Sequence, residues 1–411
     1  MRIRINTGRV SQLLEMLAVS VLLVVAGLPI SQTLPSAVRV TLQLGSVGLF
    51  LLIRLLRRKL LLQNLAMLFL ITFGVVYYFG AWNGLITLTQ YGFNMCSFWI
   101  FTFYGVELLT VESAPYKKTL YFMTIIMTLT ALTTIIGVIQ YPLAVRYLGK
   151  TSGFLAAEER SMYLRHNIAT WNHLYGIVLF APCLLEIFLR EKKIVFLACF
   201  IVCEVAVFLS QITYALIISM GIIFLMTFNR AKSVKGIIVR LALFFAFAFA
   251  VLNMNAILSY AIDRIMASGL TTLASKLSDL QVLLFARDVV GDAEARLLLY
   301  GNSLSQFTRH PIGGLFLAGV NGVDLLGHHS ELFDLMGFFG IAGIVALVFF
   351  TRLYIRMIER GAKKKKFFYV SLAGMLLLAV FNPVLYGSIT AVGGFLTAAA
   401  IERTYPIGER V

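Results

Sequence analysis

Glu331-Leu-Phe-Asp-Leu-Met-Gly-Phe-Phe-Gly-Ile-Ala-Gly-Ile-Val-Ala-Leu-Val-Phe-Phe-Thr351 decides the fold class. Its only charges fall in the first turn, and as a helix it is long enough to span the ~30 Å hydrocarbon core of a bilayer. Only a helix satisfies the backbone there within one segment, because lipid offers no partner to a free N–H or C=O. Similar apolar runs recur near 11–30, 36–56, 60–80, 84–111, 119–140, 168–189, 194–210, 212–229, 236–254, 367–381 and 384–401. The chain thus predicts an all-α polytopic integral membrane protein with about twelve transmembrane helices. Two pairs of runs nearly touch, at 210–212 and 381–384, and either pair also reads as a broken or re-entrant element. Composition excludes a soluble globule: of 411 residues, 60% are hydrophobic and 13% charged, too little polar surface to cover the apolar mass. The first run follows Met-Arg-Ile-Arg but lacks a small-residue cleavage site, so it reads as an uncleaved anchor.

Basic residues give an independent test of orientation, since cytoplasmic loops carry the excess of Lys and Arg. With the N-terminus inside, most of the 35 basic residues fall in cytoplasmic segments, from Arg2, Arg4 and Arg9 to the run Lys363 to Lys366 and Arg403. Both termini are then cytoplasmic. The net charge of +16 reflects topology and contact with anionic lipid rather than nucleic-acid binding. The exceptions concentrate in two outside loops. Arg146, Lys150, Arg160 and Arg165 lie in 141–167, and Arg264, Lys276, Arg287, Arg296 and Arg309 lie in 255–330. Long loops escape the orientation rule, so ordinary loop charge is one account. Capture of a phosphate or carboxylate at the outer surface is the other, since Arg offers a bidentate fork.

The organisation follows as a bundle over 1–254, a large extracytoplasmic helical loop over 255–330 before the tenth span, and a bundle with a cytoplasmic tail over 331–411. Within the large loop, Asp292 to Phe307 predicts a helix with acidic residues in its first turn. Arg296, Tyr300 and Ser303 share one face at i, i+4 and i+7, while Leu297, Leu304 and Phe307 suit packing against the bundle. His310-Pro311-Ile-Gly313-Gly314 stops that helix and permits a tight reversal. A Gly-rich stretch, Gly319 to Gly327, then leads to His328 and His329 at the mouth of the next span. An imidazole there can act as a general base near neutral pH, and the positive helix end favours its neutral, proton-accepting form. An interfacial histidine satisfied by backbone carbonyls is the plainer account. A metal site has less support, because neighbouring histidines point apart and no third ligand has a recognisable spacing.

Arg296-Leu-Leu-Leu-Tyr300, Phe307, His310-Pro311-Ile-Gly313-Gly314, His329-Ser330-Glu331-Leu332 and Gly340-Ile-Ala-Gly343 occur in an order that resembles the bacterial O-antigen polymerase and ligase superfamily. The resembling stretch covers roughly 294–343; the remainder is similar only in hydropathy, span count and the late position of the large loop. The chain departs from that family in one place. Where many members carry a Ser-Arg pair entering a span, it reads Ser210-Gln211-Ile-Thr213-Tyr214.

The resemblance implies a GT-C-like glycosyltransferase architecture in the bacterial inner (cytoplasmic) membrane, with its active site on the periplasmic or extracellular side. It implies a polymerase that joins undecaprenyl-diphosphate-linked oligosaccharide repeat units into polysaccharide without metal or cofactor. His329 becomes the expected base and Arg296 the expected diphosphate ligand, with Arg287, Tyr300 and His328 assisting in substrate binding. The expected partners are the lipid-linked donor and acceptor, membrane lipids and a chain-length regulator protein. A ligase that transfers finished polysaccharide to lipid A core shares these motifs and stays open, as does a twelve-span lipid-saccharide or solute transporter. Against transport, the polar residues gather in outside loops rather than at mid-membrane, and no internal repeat is evident.

A second outside cluster, Glu158, Glu159, Arg160, Arg165, His166, Asn167 and Asn172-His173, leads into the sixth span. Arg165 or Arg160 suits a second phosphate or a sugar acid, although ordinary loop charge is the better account of each. Glu204 lies deep in a span, with Gln211 at i+7 as its expected partner. Cys96, Cys183, Cys199 and Cys203 all fall in apolar spans and read as packing residues. Gly337, Gly340 and Gly343 line one helix and predict close approach of a neighbouring element.

Overall fold

A computed structural model describes residues 7–56, 100–102, 104–105, 116–149, 157–210, 212–228, 234–268, 274, 277–278, 281, 292–318, 325–327, 329–361, 366–382, 384 and 388–404. Among the described residues the regular elements are all helical. They are α1 (Thr7–Gly27), a 3₁₀ turn (Pro29–Thr33), α2 (Ser36–Leu56), α3 (Tyr116–Gln140), α4 (Ala144–Gly149), α5 (Ala157–Arg165), α6 (Trp171–Glu191), α7 (Ile194–Leu209) and α8 (Thr213–Phe228). The chain continues through α9 (Val234–Leu252), α10 (Met254–Ala267), α11 (Asp292–Arg309), α12 (Gly314–Ala318), α13 (Glu331–Gly361), α14 (Lys366–Phe381), α15 (Ser388–Ala391), a π-helical turn (Val392–Leu396) and α16 (Thr397–Thr404).

Among the described residues, four helices are long and apolar enough to cross a membrane: Val10–Gly27, Lys118–Gln140, Trp171–Glu191 and Glu331–Phe349. The protein is an all-α membrane protein. Shorter apolar helices over Ile194–Leu209, Tyr214–Met226, Phe368–Phe381 and Ile389–Glu402 occupy places where the sequence predicts further spans. The expected runs 60–80 and most of 84–111 lie outside the described residues. The segment beginning at 255 opens as a helix, since Phe244–Leu252 and Met254–Ala267 are joined by a 72° bend.

α6 is the buried centre. Leu174, Ile177, Val178, Phe180, Ala181, Cys183 and Leu184 are all fully enclosed, so both its faces meet protein. The π turn packs closely on it, where a Cβ on Gly393 would strike the Gly176 carbonyl. The π turn closes with the Thr397 N–H on the Val392 carbonyl, and hydroxyls add further bonds to its carbonyls. Thr397 donates to the Val392 carbonyl at 2.6 Å, and Ser371 of α14 donates to that of Gly394 at 2.6 Å.

One end of the bundle is knitted through Asn167. Its side-chain oxygen accepts from the Ile30 N–H at 3.1 Å, and its amide donates to Thr133 Oγ1 of α3 at 2.9 Å. Asn167 holds φ 54, a left-handed conformation that Asn tolerates better than most residues. Eight residues on, Tyr175 of α6 donates to Asn382 Oδ1 at 2.6 Å, and the Asn382 carbonyl accepts from the Glu331 N–H at 3.3 Å. The entries of α6 and α13, the exit of α14 and the turn after α1 therefore share one end. At the other end, Arg190 donates to Glu186 at 2.6 Å and Lys193 pairs with Glu191 at 2.7 Å.

α13 is broken at Gly340, whose φ 59 and ψ −150 are open only to glycine. The broken ladder is repaired from outside the helix: Ile341 and Ala342 donate their N–H groups to the Pro311 and Ile312 carbonyls at 2.7 and 3.2 Å. A Cβ on Gly340 would lie 2.5 Å from the Pro311 oxygen, and one on Gly314 (φ 58) would strike the Phe338 carbonyl. Gly337 likewise admits the Ser303 carbonyl of α11, whereas Gly343 faces side chains of its own helix. Gly340→Ala is expected to lower stability by about 2 kcal/mol or more, strain and clash acting together. Thermal unfolding of the purified protein in lipid nanodiscs checks this, and an unchanged melting temperature would contradict it.

Candidate functional site

The site grows from a buried polar junction where α11, the segment 325–330, α13 and the end of α14 meet. Ser303, wholly buried, donates to Asp334 Oδ1 at 2.6 Å and accepts from the Gly327 N–H at 2.9 Å. Asp334 is itself buried, in the first turn of α13, where the positive helix end suits an acidic residue. Ser330 caps that helix, accepting from the Phe333 N–H at 3.2 Å, and its hydroxyl donates to the Ala379 carbonyl at 3.3 Å. Tyr300 donates to the Phe381 carbonyl at 3.3 Å, with its ring 5.3 Å from that of Phe333. Because Ser303 lies level with Asp334 and Pro311 with Ile341, α11 runs alongside α13 in the same direction.

α11 forms over the stretch the sequence predicts, and Tyr300 and Ser303 face the junction as their spacing requires. Arg296 lies one turn before Tyr300 on that helix. His329 is half-buried, two residues before α13. Arg287 and His328 lie outside the described residues.

The packing face of α11 differs from expectation. Leu304, expected against the bundle, is 36% exposed and Leu298 is 66% exposed, whereas Ser303 and Gln306 are buried and Phe307 is half-buried. The hydrogen bonds of Ser303 draw the polar side inward. Losing the Ser303 hydroxyl from this buried pair of contacts would cost about 1–3 kcal/mol, more than an exposed leucine forfeits.

The second predicted cluster lies at the same bundle end, joined through Asn167 and the start of α6. A cavity of about 500 Å³ is lined by Ala157, Glu158, Ser161, Met162, Arg165 and His166. Arg165 is exposed there, a cation beside the carboxyl group of Glu158, so the cavity suits a polar or anionic group such as a substituted sugar. Arg160 is turned to structural use and donates to the Leu148 carbonyl at 3.4 Å. The Tyr141 ring stands 5.4 Å from Tyr163 and 5.6 Å from His166 and backs this wall. Burial, and then the Glu159 carboxylate, pushes the Tyr163 phenol above its ordinary value. It therefore stays a neutral hydroxyl at neutral pH.

Sequence reasoning missed Tyr175 and Asn382, 207 residues apart in the chain. A buried Tyr–Asn pair on separate apolar helices leaves no local signal. It also paired Glu204 with Gln211, which lies outside the described residues. Glu204 accepts from Ser219 of α8 at 2.7 Å. Cys183, Cys199 and Cys203 are free thiols, the first and last buried. Among the described residues no group of three or more His, Cys, Asp or Glu is arranged to hold a metal ion.

Comparison of the chain with protein-family models, with curated proteins and with solved structures finds no match.

Two substitutions test the geometry of α11. Ser303→Ala, which removes one hydrogen bond from Asp334 and the hydroxyl acceptor of the Gly327 N–H, is expected to cost about 1–3 kcal/mol. Leu304→Ala is expected to stay within about 0.5 kcal/mol of wild type, as exposed positions do. Unfolding in nanodiscs checks both, and a reversed order would show that the leucine face packs inward.

Proposed function

We propose that the chain is a polymerase for polysaccharide repeat units carried on undecaprenyl diphosphate, working on the outer face of the bacterial cytoplasmic membrane. The observation that carries this reading is the clamp of Ser303 on Asp334. It holds the helix bearing Arg296 beside the helix entry bearing His329, at the bundle end where Arg165 lines a cavity.

In the proposed reaction His329 takes the proton of an acceptor hydroxyl as that oxygen attacks the anomeric carbon of the donor chain. The bond from that carbon to the diphosphate breaks, and undecaprenyl diphosphate leaves. Arg296 binds the diphosphate oxygens as negative charge grows on them, with Arg287 as a second cation and His328 nearby. Tyr300 sets the position of the Arg296 turn through the Phe381 carbonyl. The cavity beside Arg165 would hold sugar of the acceptor or donor chain. A chain-length regulator protein would set product size.

The test is to incubate the purified protein in lipid with an undecaprenyl-diphosphate-linked repeat unit and resolve the products on a gel. Wild type should give a ladder. His329→Ala should slow its formation by about 10²–10⁴-fold, the usual contribution of a general base, with membrane insertion unchanged. Arg296→Ala should abolish it, and Arg296→Lys should also be impaired, because a point charge does not reproduce a bidentate fork. Normal ladders from both alanine variants would refute the site. No ladder from wild type with its cognate substrate would refute the polymerase reading.

A further inference from the structure

We infer that the hairpin over His310–Ala318 re-enters the membrane and presents Ile312 and Leu317 to the acyl chains of the outer leaflet. Height is the first argument. α14, from Lys366 to Phe381, is 16 residues long. At 1.5 Å per residue it rises about 24 Å, less than the ~30 Å hydrocarbon core. It starts at the lysine run and ends at Asn382, which holds the Glu331 N–H. The entry of α13 therefore stands no higher than the outer edge of the core. Gly340 lies nine residues further along α13, about 13 Å deeper at the same rise. The Pro311 and Ile312 carbonyls are bonded to the N–H groups just past that glycine, so the tip of the hairpin sits at the depth of the acyl chains.

Exposure is the second argument. Ile312 is 74% and Leu317 70% exposed, values costly in water for two large apolar groups side by side in a segment of nine residues. Ile341, next to the hairpin on α13, begins an exposed stripe that continues through Val345, Val348 and Phe349, the lipid-facing side of a span. The hairpin extends that surface. α11 is arranged to match, with Leu298 and Leu304 outward and Ser303 and Gln306 inward, the pattern of a helix whose surroundings are apolar.

Backbone satisfaction is the third. Irregular backbone survives at membrane depth only where its polar groups are paired. His310 donates to the Gln306 carbonyl and Gly314 to that of His310, both at 2.9 Å, and Leu317 donates to Gly313 at 3.3 Å. Pro311 has no N–H to lose, and its carbonyl and that of Ile312 are occupied by α13. Arg309, exposed in the last turn of α11, sits at the negative helix end on a stem long enough to reach upward.

The test places a nitroxide at Ile312→Cys or Leu317→Cys in a chain freed of its four native cysteines and reconstituted in phospholipid. Val345→Cys serves as the lipid-facing reference. Power-saturation spectroscopy then compares collisions with oxygen, which concentrates among acyl chains, and with a water-soluble nickel chelate. At both positions oxygen should dominate, with a ratio within about twofold of the Val345→Cys value, since all three stand in the hydrocarbon. Nickel dominance at either position would place the hairpin in water and overturn the inference. Inaccessibility to both reagents would overturn it too, by showing protein over these side chains. The readout is independent of catalysis, so it stands or falls apart from the polymerase reading.

Discussion

The architecture turns on a constraint of the bilayer: a backbone group released from a helix ladder must find another partner inside the protein. α13 loses its ladder at Gly340, and the released N–H groups of Ile341 and Ala342 are taken up by Pro311 and Ile312. That exchange fixes the hairpin after α11. Fixing the hairpin fixes α11, and α11 brings Ser303 to Asp334. At the π turn of 392–396, Thr397 and Ser371 hydroxyls also bond the Val392 and Gly394 carbonyls, and Gly393 comes down onto α6.

A candidate site built this way is rigid because its supports are backbone groups rather than long side chains. Asn382 accepts from both Tyr175 and Glu331, so the entries of α6 and α13 cannot slide past each other without breaking buried hydrogen bonds. Ser330 ties the cap of α13 to the last turn of α14. His329 sits one residue before that cap. A proton-transfer residue there inherits the precision of the junction, which glycosyl transfer between two large lipid-linked substrates would require.

Residues that a motif gathers need not share a role. Pro311, Gly314 and Gly340 interlock two backbones, and Tyr300 and Ser303 hold α11 in place. Arg160 and Arg165 look alike in the sequence, yet one binds a carbonyl and the other lines an open cavity.

The sequence by itself determined the all-helical membrane class, because apolar length and backbone pairing leave no other structure. It determined the extent of α11 as well, since the acidic first turn and the His310-Pro311 stop are local signals. The tertiary structure alone decided which side of α11 faces inward. Amphipathic spacing predicted Leu304 inward, but a carboxyl group on α13 and the Gly327 N–H, both bonded to Ser303, favour the other side, and neither is visible from 292–309. It alone brought the Ser219 hydroxyl of the next helix to Glu204. Tyr175 and Asn382 were likewise invisible, because hydrogen bonds between residues far apart in the chain depend on which helices pack together and at what height.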